Sequence, residues 1–214
     1  MTVILPKAWI QDRKRDYYYK KAKAEKCRSR ATYKLSQTIT KYHFIQRSDV
    51  VVDLGAAPGG WIQAARKIVG NRGFVLGVDL KPIAPFPQEY VRTIVGDITE
   101  PETLKQIIDF LPTKADVVIS DASPNISGIW EVDHARQIDL ANQALQIALN
   151  ILRPSGNFFV KVFEGDMLSD FIETVEKHFK TVKVIKPKAS RAKSSELFIL
   201  AMNLKSPDHM KEQS

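Results

Sequence analysis

Between residues 50 and 202, short runs of β-branched and aromatic residues alternate with stretches of helical periodicity, and this alternation is what most limits the fold. The first run, Val50-Val51-Val52-Asp53-Leu54, is almost wholly apolar and ends at Gly55, the pattern of a strand buried on both faces. Residues 59–69 follow as a helix, with Gly70 and Asn71 as stop signals. Further strands are predicted at 74–78, 91–95, 117–120, 157–162, 182–185 and 197–202, and helices at 101–110, 133–152 and 166–179. In 133–152 the apolar residues Ile138, Ala141, Leu145, Ala148 and Leu152 recur at helical spacing. Strand–helix alternation of this kind predicts an α/β fold, a mostly parallel sheet with helices on both faces. Residues 12–46, without Gly or Pro, are predicted to be helix-rich.

A chain of 214 residues suits a single domain. We expect a basic helical segment at 1–47, a core at 48–204 and a polar tail at 205–214. The only cysteine, Cys27, excludes an internal disulfide framework and argues against structural zinc, which fits a reducing, cytoplasmic setting. His43, His134, His178 and His209 are scattered, so no metal site is expected. The apolar stretches fall short of the roughly 20 residues that span a bilayer. Residues 1–10 read as an ordinary terminus. Nothing marks a large apolar interface, so a monomer is expected.

Charge is distributed unevenly. Residues 1–47 hold 13 Lys and Arg against 3 Asp and Glu, whereas the remainder holds 19 against 21. A second basic run carries Lys177, Lys180, Lys183, Lys186, Lys188, Arg191 and Lys193 without an intervening acid. Positive charge concentrated in this way attracts a polyanion. Tyr17, Tyr18 and Tyr19 within the first run point to RNA, because aromatic rings stack on bases.

Acidic residues recur at the predicted strand ends, as Asp53, Asp79, Asp97 and Asp121. Ligands of open parallel sheets bind beyond the carboxyl ends of the strands. Four carboxylates gathered there would repel one another unless a ligand rich in hydroxyls, amines or positive charge lay between them. The loop after the first strand, Gly55-Ala56-Ala57-Pro58-Gly59-Gly60-Trp61, lacks the G-x-G-x-x-G dinucleotide pattern. Pro58 also removes an N–H that could hold a phosphate, which speaks against a nicotinamide-dependent oxidoreductase.

With Asp53–Trp61 and Ser120-Asp121-Ala122-Ser123-Pro124-Asn125 in view, the chain resembles the RrmJ/FtsJ (RlmE) family of ribosomal RNA 2′-O-methyltransferases, over about residues 20–204. The resemblance implies a Rossmann-like methyltransferase fold, with seven strands of which 197–202 would be antiparallel. It implies S-adenosylmethionine as cofactor, held around Asp53, Gly55, Pro58 and Gly60. Gly59 and Trp61 would line its methionine end, Asp79 would hold its ribose, Asp97 would face its adenine and Asp121 would lie by the reacting methyl. It also implies a catalytic tetrad of Lys34, Asp121, Lys161 and Glu196. The implied substrate is a uridine ribose in ribosomal RNA of the large subunit, and relatives with the same tetrad modify tRNA or mRNA caps.

Lys161 stands out without any resemblance, since a lysine inside the apolar strand Phe158-Phe159-Val160-Lys161-Val162 carries a desolvation cost unless paired. Burial and a nearby Lys34 would favour a neutral amine that accepts the hydroxyl proton. Close approach of Glu196 and Asp121 would favour an ammonium that orients the hydroxyl. Glu196 is expected to orient Lys161. Arg28, Arg30, Lys188, Arg191 and Lys193 are candidate phosphate contacts, which position an RNA without reading its sequence. A non-catalytic RNA-binding assembly factor is the rival reading, and an intact tetrad speaks against it.

Overall fold

The computed structural model describes residues 17–191 and 194–206. Two short helices come first, α1 (Tyr17–Ala24) and α2 (Thr32–Tyr42). The sheet region then runs β1 (Val50–Leu54), α3 (Gly60–Val69), β2 (Phe74–Asp79), β3 (Val91–Val95), α4 (Pro101–Phe110), β4 (Ala115–Ser120) and α5 (Trp130–Ile151). It closes with β5 (Leu152–Phe163), α6 (Leu168–His178), β6 (Phe179–Ile185) and β7 (Glu196–Leu204). The strands form one seven-stranded sheet in the order β3-β2-β1-β4-β5-β7-β6. Strands β1 to β5 pair in parallel, and β7 runs antiparallel between β5 and β6.

The expected α/β architecture, with its antiparallel strand near one edge, is what the chain adopts. All five residues of β1 are buried, because helices cover both faces of the sheet. Helices α2 and α3 cover one face, where Leu35, Ile39, Ile62 and Ala65 meet Val51, Ile119 and Phe159. On the other, α4, α5 and α6 bring Ile107, Leu145 and Phe171 against Val52, Val118, Phe158 and Val160. Each large side chain so buried contributes about 1.5–3 kcal/mol.

The helix-rich segment 12–46 holds α1 and α2, separated by a turn, and its residues 12–16 lie outside the described residues. Lys26 takes a left-handed conformation, φ 54°, and the Cys27 N–H closes α1 by donating to the Ala22 carbonyl at 2.8 Å. No glycine announces this stop, so the sequence reads as continuous. Helix α5 begins earlier than residue 133. There Asp133 accepts hydrogen bonds from the Ser127 N–H, the Ser127 hydroxyl and the Gly128 N–H, at 2.7, 2.8 and 3.1 Å. These bonds tie the preceding loop to the first helical turn.

Candidate active site

The carboxyl ends of β1, β2 and β4 open on a cleft of about 960 Å³. Gly55, Pro58, Asp79, Asp97, Asp121 and Asn125 are among its lining residues. A smaller recess of about 210 Å³ adjoins it, where Asp53, Gly60, Trp61 and Asp121 come together. Gly55 and Asp121 line both.

The loop between β1 and α3 is shaped by its glycines. Gly55 has φ 75°, and a Cβ there would stand 2.6 Å from the Cα of Ala122. The turn after β1 therefore packs backbone against backbone with the segment that carries Asp121. Gly59, at φ 101°, brings the chain round into α3.

The four strand-end carboxylates differ in their bonding. Asp79 accepts from the Ala57 and Lys81 N–H groups at 2.9 and 2.8 Å, which fixes the loop on one side of the cleft. Asp97 uses one oxygen, Oδ1, on the N–H and hydroxyl of Thr99 at 2.9 and 2.7 Å. Asp53 is fully buried, and neither carboxylate oxygen has a hydrogen-bond partner. Burial, reinforced by the Asp121 and Asp79 charges, pushes the Asp53 carboxyl well above the usual carboxylate range. An unpartnered carboxyl lining a recess is a place for a cation or an amino group. These walls suit a ligand that is positively charged and hydroxylated.

Trp61 is only 2% exposed. Its ring stacks on Phe159 at 5.4 Å and its Nε1 donates to the Ala31 carbonyl at 2.9 Å. It shapes the recess as part of an aromatic layer that also includes Phe198.

Beside the recess lie two buried lysines. Lys161 Nζ donates to the main-chain carbonyl of Asp121 at 2.8 Å and stands 3.2 Å from Asp121 Oδ1. Lys34 Nζ reaches Glu196 Oε2 at 2.7 Å, and the Ser190 hydroxyl donates to Glu196 Oε1 at 2.9 Å. The expected contact of Glu196 with Lys161 is replaced by this Lys34–Glu196 pair. Across β5 and β7, Lys161 faces Phe198 and Glu196 faces Phe163, so the two are diagonal neighbours on one face, and each is taken by another partner, Glu196 by Lys34 and Ser190 and Lys161 by Asp121. Glu196 thus sits two residues further toward the strand end, where Lys34 comes in from α2. The four residues are gathered as two ion pairs side by side.

Some supporting residues carry no signal in the sequence. Gln137 on α5 is buried and donates to both the Lys161 and the Ala122 carbonyls, at 3.1 and 3.2 Å. It links β5 to the loop that bears Asp121. Only its buried polar position on an apolar helix face could have marked it. Ser190 was likewise one of several polar residues in its loop.

The candidate phosphate contacts are placed as follows. The Arg28 guanidinium donates to the carbonyls of Ala84, Pro85 and Pro58 at 2.6, 2.8 and 3.3 Å, and lies 3.6 Å over the Phe86 ring. Arg30 donates to the Ala189 carbonyl at 2.6 Å, docking the basic loop onto α2. Lys188 and Arg191 are exposed on that loop, and Lys193 lies outside the described residues. Among the described residues, no group of His, Cys, Asp and Glu is placed to hold a metal ion, and no helix is long and apolar enough to cross a membrane.

Comparison with known proteins bears on the family and the fold. Residues 27–204 match the model of the FtsJ-like methyltransferases. A ribosomal RNA large subunit methyltransferase E of Methanocaldococcus jannaschii is 52% identical over 198 residues, covering 91% of this chain and 81% of that protein. One of Methanococcus maripaludis is 50% identical over 210 residues, covering 94% and 81%. Among solved structures, a protein of Plasmodium falciparum provisionally named a ribosomal RNA methyltransferase superposes with a TM-score of 0.73 at 25% identity, covering 83% of this chain and 98% of that one.

Proposed function

The chain belongs to the FtsJ-like methyltransferase family, and from that premise we propose that it methylates a ribose 2′-hydroxyl, that of a uridine, in large-subunit ribosomal RNA. The observation that carries the reading is the double engagement of Asp121. Its side chain lines the cleft and the recess, while its carbonyl and carboxylate both hold Lys161. Cofactor cleft and lysine pair are therefore one site.

The residues fit S-adenosylmethionine. Asp53 in its recess suits the amino group, with Gly55, Pro58, Gly59, Gly60 and Trp61 shaping that end. Asp79 and Asp97 line the larger cleft, where a ribose diol and an adenine amine would find acceptors. Bound there, the cofactor supplies a methyl group made electrophilic by its sulfonium charge. Lys161 would donate to the oxygen of the attacking ribose hydroxyl and hold it in line, the hydroxyl's own proton passing to solvent. An ion pair with Asp121 supports this orienting role over that of a neutral base. Lys34 and Glu196 would fix the opposite side of the ribose, because their mutual bond and the Ser190 hydroxyl leave neither side chain room to swing. Lys188, Arg191 and Arg30 would form the basic face for phosphates, with Lys193 close to them in sequence, whereas the Arg28 guanidinium is engaged by the carbonyls of Ala84, Pro85 and Pro58 and is withdrawn from that set. All belong to one domain whose catalytic core is 48–204, preceded by a basic 1–47 segment. The enzyme would act as a cytoplasmic monomer on an assembled or nearly assembled subunit.

The test is transfer of radiolabelled methyl groups from S-adenosylmethionine to large ribosomal subunits, free ribosomal RNA and bulk tRNA in parallel. Ribose label in the ribosomal samples is expected. In Lys161→Ala it should fall by about 10²-fold or more, the cost of a nucleophile left out of line by about 1 Å, with cofactor affinity kept. Label confined to tRNA would overturn the substrate. Full activity in Lys161→Ala would overturn the mechanism.

A further inference from the structure

Beyond Lys161 the rim of the site carries an exposed indole. Trp130 opens α5 and remains 43% exposed although its ring is stacked on Phe163 at 5.8 Å and on His134 at 6.0 Å. Phe163 follows Lys161 by two residues and so lies on the same face of β5, about 7 Å along the strand.

The platform under Trp130 is stiff. His134 is buried and its Nε2 accepts the Met167 N–H at 3.1 Å. Gly165 packs so close that a Cβ there would stand 2.7 Å from the imidazole ring. The turn leading into Trp130 is pinned by the bonds of Ser127 and Gly128 to Asp133. Exposed apolar surface continues onto Ile126 and Ile129, 64% and 58% exposed. An indole held this way loses little freedom when a flat partner stacks on it.

Charge selects the partner. Glu131, Glu164 and Asp166 are exposed and adjoin Trp130, Phe163 and Gly165 in sequence, so acidic charge near the indole repels phosphates. Lys186 and Lys188 are exposed on the loop before β7, which Gln37 and Arg30 fasten through Ala189 at α2, the helix whose Lys34 pairs with Glu196. A polyanionic strand would therefore run along the α2 side and direct a neutral, planar group across Lys161 toward α5.

We propose that Trp130 is a stacking platform for an unpaired base of the RNA strand whose ribose is presented to Lys161. The platform rests on the reading of the site as an RNA ribose methyltransferase. It positions the substrate and takes no part in the chemical step. Stacking selects unpaired RNA over duplex, because a paired base offers no free face.

The test compares wild type with Trp130→Ala and Trp130→Phe, using large ribosomal subunits as substrate. KM for the RNA should rise roughly ten- to a hundredfold in the alanine variant, the usual cost of one lost stacking partner. kcat, cofactor affinity and Tm should stay near wild type, and the phenylalanine variant should recover most of the KM. Binding is then measured to a single-stranded oligoribonucleotide and to a series with one base at a time removed. Removal of the stacked base should erase the difference between wild type and Trp130→Ala. An unchanged KM in an enzyme that methylates ribosomal RNA refutes the platform alone. So does a fall in Tm or cofactor affinity that Trp130→Phe shares. A defect seen with assembled subunits and absent with naked RNA would place a ribosomal protein on the indole and refute the base. No methyl transfer by wild type to any RNA would instead remove the functional reading beneath it.

Discussion

Replacing Asp53 by Asn should make the protein more stable and its cofactor site weaker. Asp53 lies in β1, fully buried, with both carboxylate oxygens unpartnered. Its carboxyl is raised above the ordinary value of 3.8, first by burial and then by the Asp121 and Asp79 charges. A carboxyl raised on folding costs nothing extra at acid pH, where it is protonated in folded and unfolded chains alike. The cost grows as pH climbs from the unfolded value through the folded one, because the unfolded chain gives up its proton first. Asn cannot ionise, so its advantage should be absent near pH 4 and widen toward pH 8. Each pH unit by which folding raises a carboxyl pKa costs about 1.4 kcal/mol once the pH lies above both values. At roughly 2–4 °C per kcal/mol for a protein of this size, Tm at pH 8 should therefore rise by roughly 3–6 °C for each such unit. Loss of a charged partner should weaken S-adenosylmethionine by roughly ten- to a hundredfold. Thermal melts of both proteins without cofactor across this pH range, with calorimetric titration of the cofactor at pH 8, measure both effects. A variant less stable than wild type throughout, or a gain equal at pH 4 and pH 8, would refute the reasoning.

Gly55→Ala should cost about 1–3 kcal/mol, since its φ of 75° is strained for alanine and its Cβ would meet the Ala122 backbone at 2.6 Å. Urea melts should show this beside Gly128→Ala, where φ is 88° but nothing lies within 4 Å; a loss no larger at Gly55 than at Gly128 would mean that the Ala122 contact is immaterial. Arg28→Ala should weaken cofactor binding, because the side chain ties Ala84 and Pro85 to the Pro58 turn. The salt dependence of RNA binding should scarcely change, whereas loss of a phosphate contact would lower the log–log slope by about 1.

The alternating pattern of strands and helices decided the sheet, because a strand buried on both faces must be written in residues that are apolar on both. The acids at the strand ends were legible for a similar reason, since so many carboxylates in one region are hard to reconcile with structure alone. Boundaries were legible where a glycine or proline marked them, as at Pro101 in α4. They were lost at Lys26, where an ordinary side chain takes the left-handed turn and splits the front helix.

The family resemblance named Lys34, Asp121, Lys161 and Glu196 together, and Lys161 stood out on its own as well, since a lysine within Phe158–Val162 has few places to go. It could not say which pairs with which. That depends on β7 entering antiparallel between β5 and β6, with Glu196 opposite Phe163 and Lys161 opposite Phe198. That arrangement makes Glu196 and Lys161 diagonal neighbours, and which partner takes each, Lys34 for Glu196 and Asp121 for Lys161, is invisible to composition and spacing. Gln137, Ser190 and Trp130 belong to this second class. Each looks ordinary in its own segment and gains its role from an element distant in sequence, because long-range packing, unlike local propensity, sets which side chains come within bonding distance.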